Sequence, residues 1–323
     1  GDPGCYQKNA AYLDAVTPSK MKATFAKWID DTPYVLTILP TDKYSVGETD
    51  LDRSAGIPFP TEKVEFQFPK LQTATLSNGA KVVLAQRKGV PLVEMNFQFN
   101  FGYAQENNDE LGYTNFMMGM LNEGTKKYSS LEFDEVLDSL GSNLGFGSGL
   151  DTSVATLSSL KANLSQTLDL AKEALINPTF PEKEIERIKK ETLAGIIQEE
   201  NRPASIAYRN IGKLLYGDDH PYGKPLTGSG ISETISSITR ANIMDVHSRA
   251  INSAHLTFAV AGDIEMEELV DLLESKFGDW TANSDSGLKA LTTVELPDNR
   301  TIYLIDKPNA QQSYIVAGQL LPP

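Results

Sequence analysis

The sequence contains little of what metal sites and disulfide frameworks are built from. Its 323 residues include one cysteine, Cys5, and three histidines, His220, His247 and His255. A single cysteine excludes an internal disulfide framework and a cysteine-based zinc site. Any metal site formed by this sequence must therefore be poor in histidine and rich in carboxylate.

Positive charge and long apolar runs are also scarce. Lysine and arginine number 29 against 43 aspartate and glutamate residues, which gives a net charge of −14. Nucleic acids and anionic membrane surfaces attract clustered positive charge, so this balance argues against both as partners. No segment approaches the ~18 consecutive apolar residues of a membrane span. The hydrophobic fraction of 40% predicts a globular protein instead.

The first 67 residues differ in pattern from the remainder. A short helix is predicted over Lys20–Ile29, and a strand over Tyr34–Leu39 that ends at Pro40. The following segment, 41–67, is polar and contains proline and glycine, which is typical of a linker. We expect a new unit to begin near Phe68.

Two patterns after this linker predict strands. Asn78-Gly79 lies between Thr73–Leu76 and Lys81–Gln86, which predicts a hairpin closed by a type I′ turn. The segment Val93–Phe101 alternates apolar and polar residues, as a half-buried strand does. Further strands are predicted twice within 143–159 and at Leu256–Val260, Thr301–Ile305 and Tyr314–Gly318.

Capping residues and apolar spacing predict the helices. Ser129 and Glu132 form a capping-box pattern, Pro181 suits a first helical position, and Asp263 suits an N-cap. Helices are expected at 111–122, 129–141, 160–175, 181–202, 204–216, 240–250 and 264–277. Together with the strands they indicate an α+β class, with an antiparallel-rich sheet covered by helices on one face.

Four local motifs, taken in order, resemble the pitrilysin/insulinase family of zinc metallopeptidases. They are the hairpin Thr75–Val83, the segment Gly112–Thr125, His220-Pro221-Tyr222-Gly223, and Gly262-Asp263-Ile264 followed by a helix and Phe277-Gly278-Asp279. The family includes mitochondrial processing peptidase and the core subunits of the respiratory bc1 complex. The resemblance extends over about residues 68–321, and it implies a mitochondrial-processing-peptidase-like metallohydrolase fold.

The family's chemistry depends on an inverted zinc motif, His-x-x-Glu-His, on the first helix. The two histidines bind zinc, the glutamate is the general base for water, and a glutamate on a later helix is the third ligand. Such a site leaves one position open for a water that loses its proton near neutral pH. Alignment by Gly112 and Gly124-Thr125 places Asn115 at the first histidine, Met118 at the base and Gly119 at the second histidine.

The later ligand position falls on Gly195, or on Ala194 if the alignment shifts by one residue. Methionine cannot take a proton, and asparagine alone has no useful zinc affinity. We therefore expect this fragment to have no catalytic residue and no metal or cofactor ligand, with zinc bound by another half of the parent protein. Gly119 and Gly195 are interpreted as permitting two helices to approach each other where zinc lies in active relatives.

Members of this family pair an active half with an inactive one. Residues 1–40 resemble the tail of a preceding family domain, 41–67 the linker, 68–321 a peptidase-like domain without the zinc motif, and 322–323 the truncated start of a next segment. The resemblance implies that this sequence is a piece of a bacterial-type zinc metalloendopeptidase. Its partners would be the catalytic half of the same chain, or a paired active subunit, and peptide substrates. Relatives with this layout suggest the bacterial periplasm.

Two alternatives to an inactive half stay open. One is a structural or assembly scaffold like the bc1 core subunits. The other is a weak, unrelated hydrolase that uses Asp218, Asp219 and His220, and it predicts metal uptake or hydrolysis by the isolated fragment. In the resembling family, the region of the glycine-containing segment 145–149 supplies a strand edge facing the peptide chamber. The resemblance therefore implies that a bound peptide could add there by main-chain hydrogen bonds. Glu199-Glu200 is expected to be a solvated acidic surface.

Overall fold

The computed structural model describes residues 5–29, 35–37, 69–281, 288–291, 293–294, 301–310 and 312–320. The chain divides into two compact units, Gly1–Glu65 and Phe66–Pro323. The first contains helix α1, Cys5–Asp14, which the sequence patterns did not predict, and α2, Pro18–Trp28, which they did. Of the strand predicted at Tyr34–Leu39, only residues 35–37 are described, and they belong to no strand. The predicted linker at 41–67 lies outside the described residues.

The second unit is built on a six-stranded sheet. Its strands are β1 Gln72–Thr75, β2 Lys81–Gln86, β3 Leu92–Phe99, β4 Asn143–Ser148, β5 Ser153–Leu160 and β6 Leu256–Gly262. Their order across the sheet is β1-β2-β6-β3-β5-β4. The β2–β6 pair is parallel and the other four pairs are antiparallel. This confirms the predicted antiparallel-rich sheet.

Helices accompany the sheet and form the remaining regular structure of the second unit. They are α3 Tyr113–Gly119, α4 Ser130–Ser139, α5 Leu164–Ile176, α6 Glu182–Asn201, α7 Pro203–Tyr216, α8 Ser232–Ser237, α9 Arg240–Ala250 and α10 Met266–Phe277. The capping box is confirmed, since Ser129 and Glu132 bond reciprocally at the start of α4. Pro181 is the N-cap of α6, one position before the predicted one. No helix in the described part of the chain has the length and apolar character to cross a bilayer.

One face of the sheet forms the core. Along β3 the apolar residues from Val93 to Phe99 are buried, whereas Glu94 and Asn96 between them are exposed. This is the alternation that the sequence predicts, although β3 ends at Phe99 rather than at Phe101. The rings of Phe97 and Phe258 meet edge to face, with centroids 5.1 Å apart. Phe277 from α10 lies 5.6 Å from both, so this helix closes the core over the central strands.

The hairpin between β1 and β2 is confirmed, but its predicted turn type is wrong. A type I′ turn needs positive φ at both Asn78 and Gly79, and of these only Gly79 has it, at +90°. Leu76 O accepts a bond from Gly79 N–H, while Leu76 N–H donates to Ala80 O. The loop therefore has three residues and closes with a left-handed glycine. Asn78 is used differently, because its amide donates to Phe277 O at 2.9 Å.

The N-cap predicted at Asp263 is wrong as well. Helix α10 begins three residues later, at Met266, with Glu265 as its N-cap. Asp263 N–H instead donates to Leu92 O at 3.1 Å. This bond continues the pairing of β6 with β3 one residue beyond the end of β6. Asp263 therefore still belongs to the sheet, and the helix begins only after it.

The strands predicted at Thr301–Ile305 and Tyr314–Gly318 are absent from the structure, although both segments are described. Their apolar side chains point into solvent, with Ile302 and Leu304 each 93% exposed and Ile315 89% exposed. A strand requires a neighbour that supplies main-chain hydrogen bonds. The described part of the chain offers these segments no such neighbour, so the alternating pattern alone does not produce a strand.

Candidate functional site

The region where the family motif would lie is helix α3, which is shorter than the predicted 111–122. Gly112 precedes it with φ of +92°, and an added Cβ would meet the Ser229 carbonyl oxygen at 2.7 Å, so only glycine fits there. The Glu106 carboxylate accepts bonds from the N–H groups of Gly112, at 2.9 Å, and Thr114, at 2.7 Å. These bonds satisfy two N–H groups at the helix start that have no partner inside the helix.

The sequence alignment predicts that Asn115 stands at the position of the first zinc-binding histidine. In the structure, both the oxygen and the nitrogen of its amide form hydrogen bonds. The Oδ1 atom accepts from the Ser148 N–H at 3.0 Å, and Nδ2 donates to the Gly228 carbonyl at 3.1 Å. Asn115 therefore links α3 to the end of β4 and to the loop around Gly228. The loop itself fits closely under this amide, because an added Cβ on Gly228 would collide with Nδ2.

Met118 and Gly119 are the residues predicted at the positions of the base and the second histidine. The Met118 side chain is completely buried in the hydrophobic core, together with Met117 and Met120. It thus fills space inside the fold and presents no proton acceptor. Gly119 is exposed, and a Cβ added there would meet no described atom within 4 Å.

The position of the later ligand lies within α6, where Ala194 is exposed and Gly195 is half-buried. A Cβ added at Gly195 would also meet no described atom within 4 Å. The interpretation that Gly119 and Gly195 permit a close approach of two helices is therefore wrong, since side chains would fit at both positions.

Asp218, Asp219 and His220 are adjacent in sequence but do not converge. Asp218 pairs with Lys213 at 2.9 Å, on the surface. The buried His220 ring stacks on Tyr216 with centroids 5.0 Å apart, and its Nδ1 accepts from Tyr222 N–H at 3.0 Å. The described residues contain no group of three or more His, Cys, Asp or Glu side chains able to hold a metal ion. These contacts give His220 a packing role and argue against the metal-dependent hydrolase.

Glu199 takes part in a network that sequence reasoning missed. Its Oε2 pairs with Arg209 Nη1 at 2.8 Å and accepts from Ser229 Oγ at 2.6 Å. Arg209 also donates to the Gly230 carbonyl at 2.8 Å. Glu199 is therefore not part of a solvated acidic surface. With Asn115, this network holds the loop 228–230 against α3, α6 and α7, and no local pattern could have revealed pairing across such sequence separations.

Strand β4 lies at one edge of the sheet, with β5 on its inner side. No other strand among the described residues pairs with β4. Its last residue, Ser148, already gives its N–H to Asn115. The predicted edge at 145–149 is therefore present in the fold, and its Ser148 end is closed to an incoming main chain.

The electrostatics beside α3 are set by burial. Glu106 is 2% exposed, and burial raises the pKa of its carboxyl to about 7 against the opposing effect of its two backbone hydrogen bonds. Lys224 is 6% exposed, and burial lowers the pKa of its ammonium. Both groups interact electrostatically with each other across the base of a small cavity.

Comparison with solved structures reveals the same fold elsewhere. The peptidase M16 inactive domain from Pseudomonas fluorescens aligns with a TM-score of 0.64 and 26% identity, over 69% of this chain and 54% of that one. The periplasmic protease PqqL from Escherichia coli aligns with a TM-score of 0.63 and 21% identity, over 72% of this chain and 26% of that one. The latter likeness concerns the fold alone.

Curated proteins are also similar to this chain in sequence. An uncharacterized zinc protease of Rickettsia felis is 26% identical over 202 residues, which are 62% of this chain and 48% of that protein. The chain thus spans about half the length of the curated relatives it matches.

Two family models match the sequence in succession. The model described as insulinase, peptidase family M16, matches residues 81–228, and the model described as the peptidase M16 inactive domain matches residues 237–323. These matches agree with the sheet, the helices and the structural neighbours. The chain belongs to peptidase family M16, the insulinase family.

Proposed function

We propose that residues 68–321 form a catalytically inactive, peptidase-like domain that supports the catalytic half of a zinc protease and forms part of its peptide-binding chamber. The proposal rests on how the side chains of Asn115 and Met118 are used within the fold. Both ends of the Asn115 amide bond within the fold, and the Met118 thioether lies in the core. The Asn115 oxygen already accepts a main-chain hydrogen bond and the Met118 sulfur is enclosed by the apolar core, so neither side chain is arranged as a zinc ligand.

The side chains at the motif positions do not fit zinc. A catalytic zinc needs three nitrogen, oxygen or sulfur ligands and an open position. The motif positions provide no such set, because Asn115 has a hydrogen-bonded amide and Met118 a buried thioether. Gly119 and Gly195 have no side chain that could bind a metal. We therefore derive no catalytic step in this chain and assign the zinc and the chemistry to the other half.

The wider arrangement belongs to the same proposal. Residues 1–40 are the tail of a preceding domain, 41–67 the linker, and 322–323 the start of the next segment. The partner is the catalytic half of the same chain or a paired active subunit, and peptides run between the two. Support comes from the match to the M16 inactive domain and from relatives about twice as long. The bacterial periplasm is the proposed compartment, by likeness to a periplasmic protease.

Elemental analysis for zinc and a broad peptide-cleavage assay, on one purified sample, test the proposal. We expect no stoichiometric zinc and no chelator-sensitive cleavage from this chain alone. One tightly held zinc per chain, with cleavage that a chelator abolishes, would overturn it. The scaffold alternative differs in one respect, because it predicts no segment with an intact His-x-x-Glu-His elsewhere in the parent protein, which sequencing the parent would reveal.

A further inference from the structure

A cavity of about 160 Å³ opens beside the N-terminal end of α3, outside the positions of the degenerate zinc motif. Seven polar side chains contribute to its wall: Glu106, Asn107, Asn108, Asp219, His220, Lys224 and Lys289. The cavity thus lies between two loops, 106–108 and 219–224, and the segment around Lys289. None of these residues belongs to the zinc-motif positions or to the Glu199 network.

Lys224 is the unusual member of this wall. The residue is only 6% exposed, and among the described residues no hydrogen bond joins its Nζ to an acceptor. The Glu106 carboxylate interacts with Lys224 electrostatically but gives its two oxygens to the N–H groups of Gly112 and Thr114. The Nζ atom itself is not fully enclosed, so water in the cavity can accept from its three donors. An oxygen anion in the cavity would satisfy them.

Lys289 provides a second ammonium at the same cavity. Its Nζ donates to the Glu106 carbonyl at 2.7 Å and to Asn107 Oδ1 at 2.9 Å. Two of its three donors are therefore used, and the bonds hold the ammonium at the cavity wall. Two ammonium groups from distant parts of the chain, residues 224 and 289, thus border one small polar space.

We propose that this cavity is a binding site for a monovalent carboxylate, with Lys224 as its principal ligand and Lys289 as the second. The volume suits a carboxylate on a short stem. Asp219 borders the same space, and its negative charge opposes a dianion such as phosphate more strongly than a monoanion. The carboxylate is that of a small free acid or of a peptide C-terminus. The site goes beyond the proposed function and does not depend on it.

Calorimetric titration of the complete chain with N-acetylglycine and N-acetylglycinamide tests the site. The two probes differ only in the carboxylate, and ionic strength is kept constant with chloride. We expect saturable binding of the acid and none of the amide. Equal behaviour of the two probes, or no saturable binding of the acid, would overturn the proposal without any variant being needed.

Variants then locate the binding. Lys224→Met should weaken binding of the acid roughly tenfold or more, the effect of one charge-assisted hydrogen bond. Lys88→Met is the matched control, because Lys88 is an exposed lysine that pairs with Glu265 at 2.7 Å, away from the cavity. It should bind as the wild type does. Unchanged affinity in a folded Lys224→Met protein would refute the assignment.

Two further steps complete the test. If Lys224→Met does not fold, Lys289→Gln replaces it and should also weaken binding, whereas unchanged affinity would count against the site. Acetate and a tripeptide, as free acid and as amide, distinguish the sources. Tighter binding of the tripeptide acid than of acetate assigns a peptide C-terminus, and equal binding assigns small free acids. Both outcomes support the site.

Discussion

The Asn115 side chain accepts a hydrogen bond from the Ser148 main chain at 3.0 Å, across 33 residues of sequence. It joins the middle of α3 to the last residue of edge strand β4. The side chain at the position predicted for a zinc ligand therefore stabilises the connection between helix and sheet.

Replacing Asn115 with alanine should destabilise the fold. Ser148 N–H and the Gly228 carbonyl would each lose their partner, and the cost should be about 1–3 kcal/mol. Urea unfolding followed by circular dichroism measures it. Asn143→Ala, at an exposed position of β4, is the control and should stay within ~0.5 kcal/mol. Equal effects of the two substitutions would show that these bonds do not stabilise the fold.

Returning the catalytic base to its position should be costly. Met118 is fully buried among apolar side chains, so Met118→Glu places an unpaired carboxyl in the core and should cost about 3 kcal/mol or more. Met118→Leu conserves volume and should cost less than about 1.5 kcal/mol. Thermal unfolding of both variants provides the comparison. A stable Met118→Glu protein would mean that this position faces an accessible space.

The loop beneath Asn115 should tolerate no side chain at Gly228. Both Gly228 and Gly141 have positive φ, at +69° and +59°, so alanine at either should cost roughly 1 kcal/mol in backbone strain. Only Gly228 also lacks room, because its Cβ would collide with the Asn115 amide and meet the Tyr103 ring at 2.9 Å. Gly141 has no described atom within 4 Å of such a Cβ.

We therefore expect Gly228→Ala to lower the free energy of unfolding by about 1–3 kcal/mol more than Gly141→Ala, as overpacking does. Chemical denaturation of the two variants, side by side, separates steric collision from strain. The explanation would be wrong if both variants lost the same stability.

The stability of the fold should decrease as pH rises from about 4.5 to about 7. Burial raises the pKa of the Glu106 carboxyl from 4.5 to about 7, so the native state holds a proton that the unfolded chain has released. The contribution is complete below pH 4.5 and lost once pH passes 7. At ~1.4 kcal/mol per pH unit, it is about 3 kcal/mol.

Unfolding free energies measured between pH 4.5 and 8 should reveal this slope, after comparison with Glu106→Gln. The amide cannot ionise, so the variant should show a smaller pH dependence over the same range. Lys224 and Lys289 face Glu106, and burial lowers the pKa of both ammonium groups, so both proteins are compared over the same pH range. Parallel profiles for the two proteins would contradict the assignment to Glu106.

Local sequence patterns predicted those strands and helices that are determined by a few neighbouring residues. The alternation from Val93 to Phe99 became β3, because a two-residue period with one apolar face dictates which side is buried. Ser129 and Glu132 started α4, since a capping box needs only four consecutive residues. The resemblance to a peptidase family supplied the class of fold, which the matched models and structures confirm.

Features that depend on distant partners could not be predicted in this way. The bonds of Asn115 reach across 33 and 113 residues, and nothing near it in sequence indicates either partner. The segments at 301–305 and 314–318 have the composition of strands without a described neighbour to pair with. Asp263 has the chemistry of an N-cap, but a hydrogen bond to Leu92 keeps it in the sheet connection.

The position of β6 in the sheet has a consequence for synthesis on the ribosome. This strand separates the β1–β2 hairpin from β3, β5 and β4, yet it is translated after all of them. From the end of β2 at Gln86 to the end of β6 at Gly262, 262 − 86 = 176 residues must be added. At 5–20 residues per second, this takes about 9–35 s. Throughout that interval the β2 edge that pairs with β6 stays unpaired. A chain stalled at this stage would therefore expose a hairpin edge that can pair with other chains, and the sheet would remain incomplete.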